Sequence, residues 1–157
     1  MSASPSTAAR DALGERLFQA AVATFDLFSV YLGDRLGLYR ALADAGSSTA
    51  GELAQAAGIN PRYAREWLEQ QAATGILAVE NQEEDPDRRH FFLPPGHEEV
   101  LIEETSLNFA ASLAQSAIAC ARPIDAVVDA FRSGEGLTFD GYGPDARQSQ
   151  ERSTRPM

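Results

Sequence analysis

The chain has 157 residues, with 23 acidic against 13 basic side chains, a formal net charge of −10 and a pI near 4.6. That length suits one domain of ordinary size with a real core, and the negative balance opposes nonspecific binding to nucleic acid or to an anionic membrane. A single cysteine, Cys120, excludes a disulfide framework, and its place in an apolar run predicts a buried thiol.

The first residues carry no basic segment followed by an apolar one, so residues 1–11 read as a disordered start rather than a signal peptide. A cytoplasmic protein is expected. Residues 12–45 then read as a long helical segment, with Gly33 and Gly37 as alternative break points. One apolar stripe runs Leu17, Ala21, Phe25, Phe28, Leu32, Leu36, Tyr39, and a second set, Phe18, Val22, Leu27, Val30 and Tyr31, spreads around the other side. A helix apolar on nearly all sides needs cover on more than one face. Arg16, Asp26 and Asp34 interrupt the run too early for a membrane span. The cover is expected from the same helix of a second chain, in a homodimer; the competing source is the chain's own C-terminal helices.

Thr49 followed by Glu52 forms a capping box that opens a short helix over Leu53, Ala54 and Ala57, and Gly58 supplies its left-handed end. Asn60 caps a second helix with Pro61 at its first position. Ala64, Trp67, Leu68, Gln71 and Ala72 share one face of it, and Gly75 closes it before an apolar strand, residues 76–79. A second strand follows over residues 88–93. Helix, tight turn, helix, strand, loop, strand is the order of a winged helix-turn-helix, so the fold class is mainly α, with a small two-stranded β wing flanked by a long N-terminal helix and C-terminal helices.

A DNA-reading winged helix presents cations or neutral hydrogen-bonding groups on its second helix and wing. Here Arg62 and Arg65 face outward, but Glu66 and Glu69 lie one turn later, at spacings that favour intrahelical ion pairs. The wing tip, Asn81-Gln82-Glu83-Glu84-Asp85-Pro86-Asp87, holds four carboxylates in seven residues. Phosphate would repel it, so DNA binding is disfavoured.

After Pro94-Pro95-Gly96, residues 97–104 predict a short amphipathic helix with Val100, Leu101 and Ile102 inward and four glutamates in solvent. Residues 105–121 predict a longer helix rich in small side chains. Pro123 opens another, residues 124–131, with Ile124, Val127, Val128 and Phe131 inward. Residues 133–157 are Gly-rich and polar without apolar periodicity, and read as loop or linker. The domain division is therefore 1–11 disordered, 12–95 winged-helix dimerisation domain, 96–132 helical extension and 133–157 linker.

Little chemistry is visible. His97-Glu98-Glu99 lacks the second histidine of a zinc-binding helix, and His90, His97 and Cys120 make an unconvincing zinc set. Glutamates 98, 99, 103 and 104 read as a solvated face rather than a calcium cluster. Gly134-Glu135-Gly136-Leu137-Thr138-Phe139 follows a helical segment instead of a strand and lacks a third glycine, so it fails as a nucleotide loop. No catalytic, cofactor-binding or metal-binding residue is nominated.

Several runs together carry a family likeness: YLGDRLGLYRAL from Tyr31, ELA from Glu52, NPRYAREWL from Asn60, TGIL from Thr74 and FFLPPGHEEVL from Phe91. The chain resembles the N-terminal winged-helix dimerisation region of a class I S-adenosylmethionine-dependent methyltransferase family. The resemblance is firmest over residues 17–93 and looser onward to Met157. It implies a Rossmann-like catalytic domain, with S-adenosylmethionine as the cofactor of the complete enzyme, and these residues are expected to lack that domain. It also implies that Phe139 and Tyr142 line a pocket in a complete enzyme.

Three functions follow. The preferred one is a dimerising module, truncated before the cofactor-binding domain and inactive alone. The alternative is a winged-helix transcriptional regulator binding DNA through Arg35 and Arg40 together with Arg62 and Arg65. The third is a subunit that pairs with a separate methyltransferase domain through residues 107–131.

Overall fold

The structure, a computed structural model, describes residues 5–83 and 85–155. Helix α1 spans Pro5–Arg35 and ends where Gly37, at φ 68°, turns the chain into α2, Leu38–Ala45. The break is thus at Gly37, where a left-handed residue is required, and not at Gly33. The helix also reaches back through residues 5–11, against the expected disorder. Ala8, Ala9, Ala12 and Leu13 are strong helix formers and Pro5 suits a first helical position. Residues 1–4 lie outside the described residues.

The winged helix-turn-helix forms as the capping signals require. Helix α3, Ala50–Ala57, opens on a full capping box: the Thr49 hydroxyl accepts from the Glu52 N–H at 3.3 Å, and Glu52 accepts from the Thr49 N–H at 2.8 Å. Helix α4, Pro61–Ala73, starts with Asn60 Oδ1 accepting from the Arg62 N–H at 3.0 Å. Strand β1, Ala78–Val79, pairs antiparallel with β2, Phe91–Phe92, in the register Ala78 to Phe92 and Val79 to Phe91. Phe91 also exchanges backbone hydrogen bonds with Ser48 at 3.0 and 2.9 Å, tying the wing to the α2–α3 turn. Both strands are shorter than expected: Asp85 accepts from the Asp87 N–H and folds Pro86–Arg88 into a 3₁₀ turn ahead of β2, and the Ile76 and Leu77 N–H groups donate to the Gln71 carbonyl ahead of β1. Glu84 of the expected wing tip lies outside the described residues.

The core joins Leu38, Tyr39, Leu42, Leu53, Trp67, Leu68, Leu77 and Phe91. Tyr39 and Trp67 meet edge to face at 5.2 Å, and the Trp67 indole N–H donates to the Ser29 carbonyl at 2.9 Å, fastening α4 to α1. This explains Gly33 in mid-helix: a Cβ there would lie 2.5 Å from Trp67 Cζ2 and 2.6 Å from Tyr39 Cε2. The buried Gln71 accepts from the Tyr39 hydroxyl, so this core amide is satisfied.

Beyond the wing come α5, His97–Leu101; α6, Ala111–Ala121; α7, Ile124–Ser133; a 3₁₀ turn at Phe139–Tyr142; and α8, Pro144–Thr154. Several of these differ from the sequence reading. Helix α6 begins six residues late, because residues 103–110 form turns in which the Ala110 N–H donates to the Val100 carbonyl at 2.8 Å. Its small residues Ala111, Ser112, Ala114 and Ala119 are buried, and the helix packs on α1 and α8. Cys120 is exposed rather than buried as expected. Val100 points outward, whereas Leu101 is buried.

The largest correction is at the C-terminus, where the expected linker holds α8, packed on α6. Its inward side is polar: Asp145 and Ser149 are buried and Arg152 is nearly so. A helix that docks through hydrogen bonds and ion pairs has no apolar period for a sequence reading to detect.

Candidate interaction site

Two features of α1 define the candidate site. The first is an uncovered length: residues 8–25 are exposed throughout, including Leu13, Leu17, Phe18, Val22 and Phe25. Phe18 and Phe25 are 62% and 67% exposed, more than isolated surface hydrophobics explain when they share a helix with three others. The second is the far end of the same side. There Leu32 of α1 and Leu36 just past its end, with Leu38, Ile59, Tyr63 and Trp67, line an apolar groove of about 500 Å³ between α1 and α4. Tyr63, 70% exposed at its lip, belongs to α4.

Phe18, Phe25 and Leu32 recur at seven-residue intervals, two helical turns, so they lie in one line. Val30 and Gly33, which face the core, lie on another side of the helix. Phe28, half-buried, packs edge to face on Phe25 at 6.0 Å. The chain's own helices cover only the C-terminal part of α1, through α2, α4 and α6.

The second polar site seals that C-terminal part. Arg152 donates to both carboxylate oxygens of Asp34 at 2.7 and 2.8 Å, to Glu104 at 2.9 Å and to Gln115 at 3.1 Å. The Arg152 guanidinium also lies 5.1 Å from the Phe109 ring centre. The Asp34 hydrogen bond, with the Asp34 and Glu104 charges, holds the guanidinium in its charged form more firmly than usual, despite burial. The buried Asp145 accepts from Gln115 at 3.0 Å and Tyr31 at 3.2 Å and pairs with Arg122 at 2.8 Å. Its carboxyl sits below the usual range, chiefly through the Gln115 hydrogen bond, which with Tyr31, Arg122 and Arg35 outweighs burial.

On the face that would read DNA, Arg65 and Arg89 are paired, by a different arrangement from the intrahelical pairs expected. Arg65 pairs with Asp87 at 3.1 Å and Arg89 with Glu69 at 2.7 Å, so both ion pairs join α4 to the wing region. Arg35 and Arg40 do not extend this surface. They open onto a polar depression of about 410 Å³ shared with Asp34, Glu104, Arg152 and Arg155.

Other residues weighed from the sequence lie apart. His90 contacts Ser47 at 3.3 Å and His97 Nδ1 contacts the Ile76 carbonyl at 2.8 Å, while Cys120 is on α6. Two of the four glutamates are tied rather than merely solvated. Glu99 accepts from Ser106 at 2.6 Å and Asn108 at 2.8 Å, which lower its pKa, and Glu104 pairs with Arg152 and Arg155. Gly134 ends α7 at φ 79°, and Phe139 is half-exposed in its 3₁₀ turn. On α7 the expected inward face is largely outward: Ile124 and Val128 are exposed and Phe131 is 88% exposed, while Val127 is half-buried.

Residues 23–103 match the family model of the Rv2258c-like winged HTH domain. The chain belongs to that family. Solved structures similar to this Rv2258c-like chain include the mitomycin 7-O-methyltransferase MmcR, with a TM-score of 0.68 and 23% identity over 96% of this chain and 45% of that one. Human N-acetylserotonin methyltransferase, solved in complex with SAM, gives 0.63 and 18% over 99% and 43%. The N,N-8-amino-8-demethyl-D-riboflavin dimethyltransferase RosA from Streptomyces davawensis gives 0.59 and 22% over 91% and 43%. At these identities the likeness is one of fold, and the Rv2258c-like chain spans less than half the length of each. No curated protein matches it. Among the described residues, no helix is long and apolar enough to cross a membrane.

Proposed function

We propose that this chain is the homodimerising winged-helix module of a methyltransferase-like protein, and that S-adenosylmethionine binding and methyl transfer need a further domain. The observation that carries this reading is the uncovered apolar length of α1. Helices in proteins draw most of their stability from packing an apolar face, and burying one Phe or Leu side chain is worth about 1.5–3 kcal/mol. Five such side chains left in water on one helix call for a partner. The folds of the similar methyltransferases support placing the module in that setting.

Sedimentation or light scattering tests the reading. The chain should run as a dimer, and the Phe18→Asp/Phe25→Asp variant should run as a folded monomer, since both side chains are exposed within one chain and an unpaired carboxylate in an interface is costly. A dimer unaffected by both changes would refute α1 as the seam. Titration with S-adenosylmethionine should give no heat of specific binding.

A second reading is favoured by α7. Ile124, Val128 and Phe131, left in solvent, form a surface for a separately encoded methyltransferase domain. The Phe131→Asp change would weaken capture of such a domain without altering the oligomeric state. Regulation by DNA binding is disfavoured by the Arg65–Asp87 and Arg89–Glu69 pairs.

A further inference from the structure

The uncovered side of α1 is symmetric about one residue. Counting from Phe25, three residues back is Val22 and three forward is Phe28; seven back is Phe18 and seven forward is Leu32. We infer that α1 pairs antiparallel with α1 of a second copy, with the two-fold axis passing Phe25. In this register, Phe18 of each copy lies against Leu32 of the other and enters the groove between α1 and α4. This pairing rests on the dimer reading above and specifies its geometry.

Three observations carry it. First, a two-fold contact needs a self-complementary surface, and the spacing from Phe18 to Leu32 provides one over about 21 Å of helix at 1.5 Å per residue. Second, each copy supplies both a bare rod, residues 8–25, and an apolar groove lined by Leu32, Leu36, Tyr63 and Trp67. Parallel pairing would set groove against groove and body against body, whereas antiparallel pairing sets each groove against a rod. Third, the area suffices. At ~150–250 Å² per aromatic side chain, the exposed parts of Phe18, Phe25 and Tyr63 amount to roughly 300–500 Å² per copy. The flanking Leu and Val side chains bring this toward the ~800 Å² per partner of a standard interface. The filled groove would bury the side of α4 that carries Asn60, Tyr63, Glu66 and Gln70, closing part of the surface with which a winged helix enters DNA.

Cysteine crosslinking tests the register in a Cys120→Ala background, which removes the exposed native thiol. Only a residue near the axis can link to its own copy, because a disulfide needs Cα atoms within about 7 Å. Phe25→Cys should therefore give a covalent dimer on mild oxidation. Phe18→Cys and Leu32→Cys should each stay monomeric alone and link when mixed. Phe131→Cys, equally exposed on α7, should not link. If Phe18→Cys links to itself, the pairing is parallel and the inference fails; equal linking of Phe131→Cys would mark random collision and also overturn it. A chain that is dimeric by light scattering but gives no Phe25→Cys link refutes the register and leaves the dimer reading intact. A monomeric chain refutes both.

Discussion

Arg152 and Asp34, 118 residues apart in sequence, meet as a two-pronged ion pair at 2.7 and 2.8 Å, with only about 15% of either side chain exposed. This contact docks α8 onto the end of α1. It matters for the interface because α8 packs on α6, one of the helices that cover the C-terminal part of α1.

Removing one member of a largely buried pair leaves the other charge unmatched. The Arg152→Ala change should lower global stability by about 2 kcal/mol, less than for a fully buried pair because some solvent reaches the site. It should also open residues 144–155 to limited proteolysis. Urea unfolding and mass spectrometry of the digest check this; an unchanged midpoint with an intact C-terminus would contradict it.

The two opposing effects of Gly33→Ala can be ranked. Alanine in place of glycine favours a helix by up to about 1 kcal/mol. The new Cβ, however, collides with two buried rings, and overpacking a core costs about 1–3 kcal/mol. Net destabilisation is expected. Gly51→Ala in α3, with nothing within 4 Å of the added Cβ, should be neutral or stabilising. Thermal unfolding of both variants decides; equal gains would mean the Trp67 and Tyr39 rings move aside freely.

The depressed pKa of Asp145 gives a signed pH dependence. A carboxyl whose folded pKa lies below its unfolded value contributes stability that is fully present above the unfolded value, about 3.9, and is lost as pH falls through the folded one. The stability difference between the native chain and Asp145→Asn should therefore be largest at pH 6–7 and shrink below about pH 4. Chemical denaturation at both ends of that range tests it, and a difference independent of pH would rule out the ionised carboxylate as the anchor.

Binding to duplex DNA should be absent in a gel shift at low ionic strength, where phosphate contacts are strongest. The arginines at the junction of α4 and the wing are already paired, and the chain carries a net charge of −10. A sequence-specific, salt-dependent shift at micromolar protein would restore the regulator.

Much of the winged helix was legible because its signals are local. Thr49 and Glu52, Asn60 and Pro61, and the glycines at 58 and 75 each act within one turn of chain, and the apolar period of α4 named Ala64, Trp67, Leu68 and Gln71 as its inward side. The candidate interface was half legible. The surplus of apolar residues on α1 was plain, but nothing in the sequence tied Tyr63 to it, and only the groove places Tyr63 beside Leu32 and Leu36. The C-terminal third was misread for two physical reasons. The apolar period of α7 marks a surface that wants cover without saying whether this chain supplies it, and α8 docks through Asp145, Ser149 and Arg152, whose period is polar.

Sequence alone determined which segments could be helices, where the winged helix starts and stops, and that α1 carries more apolar surface than one small domain can hide. These properties depend on residues within a few positions of one another. Tertiary structure decided which side of α1 is left bare, that Gly33 makes room for two aromatic rings, and that Arg152 finds Asp34 across 118 residues. Those outcomes depend on how distant segments close upon each other, and the spacing of residues along a chain does not carry that information.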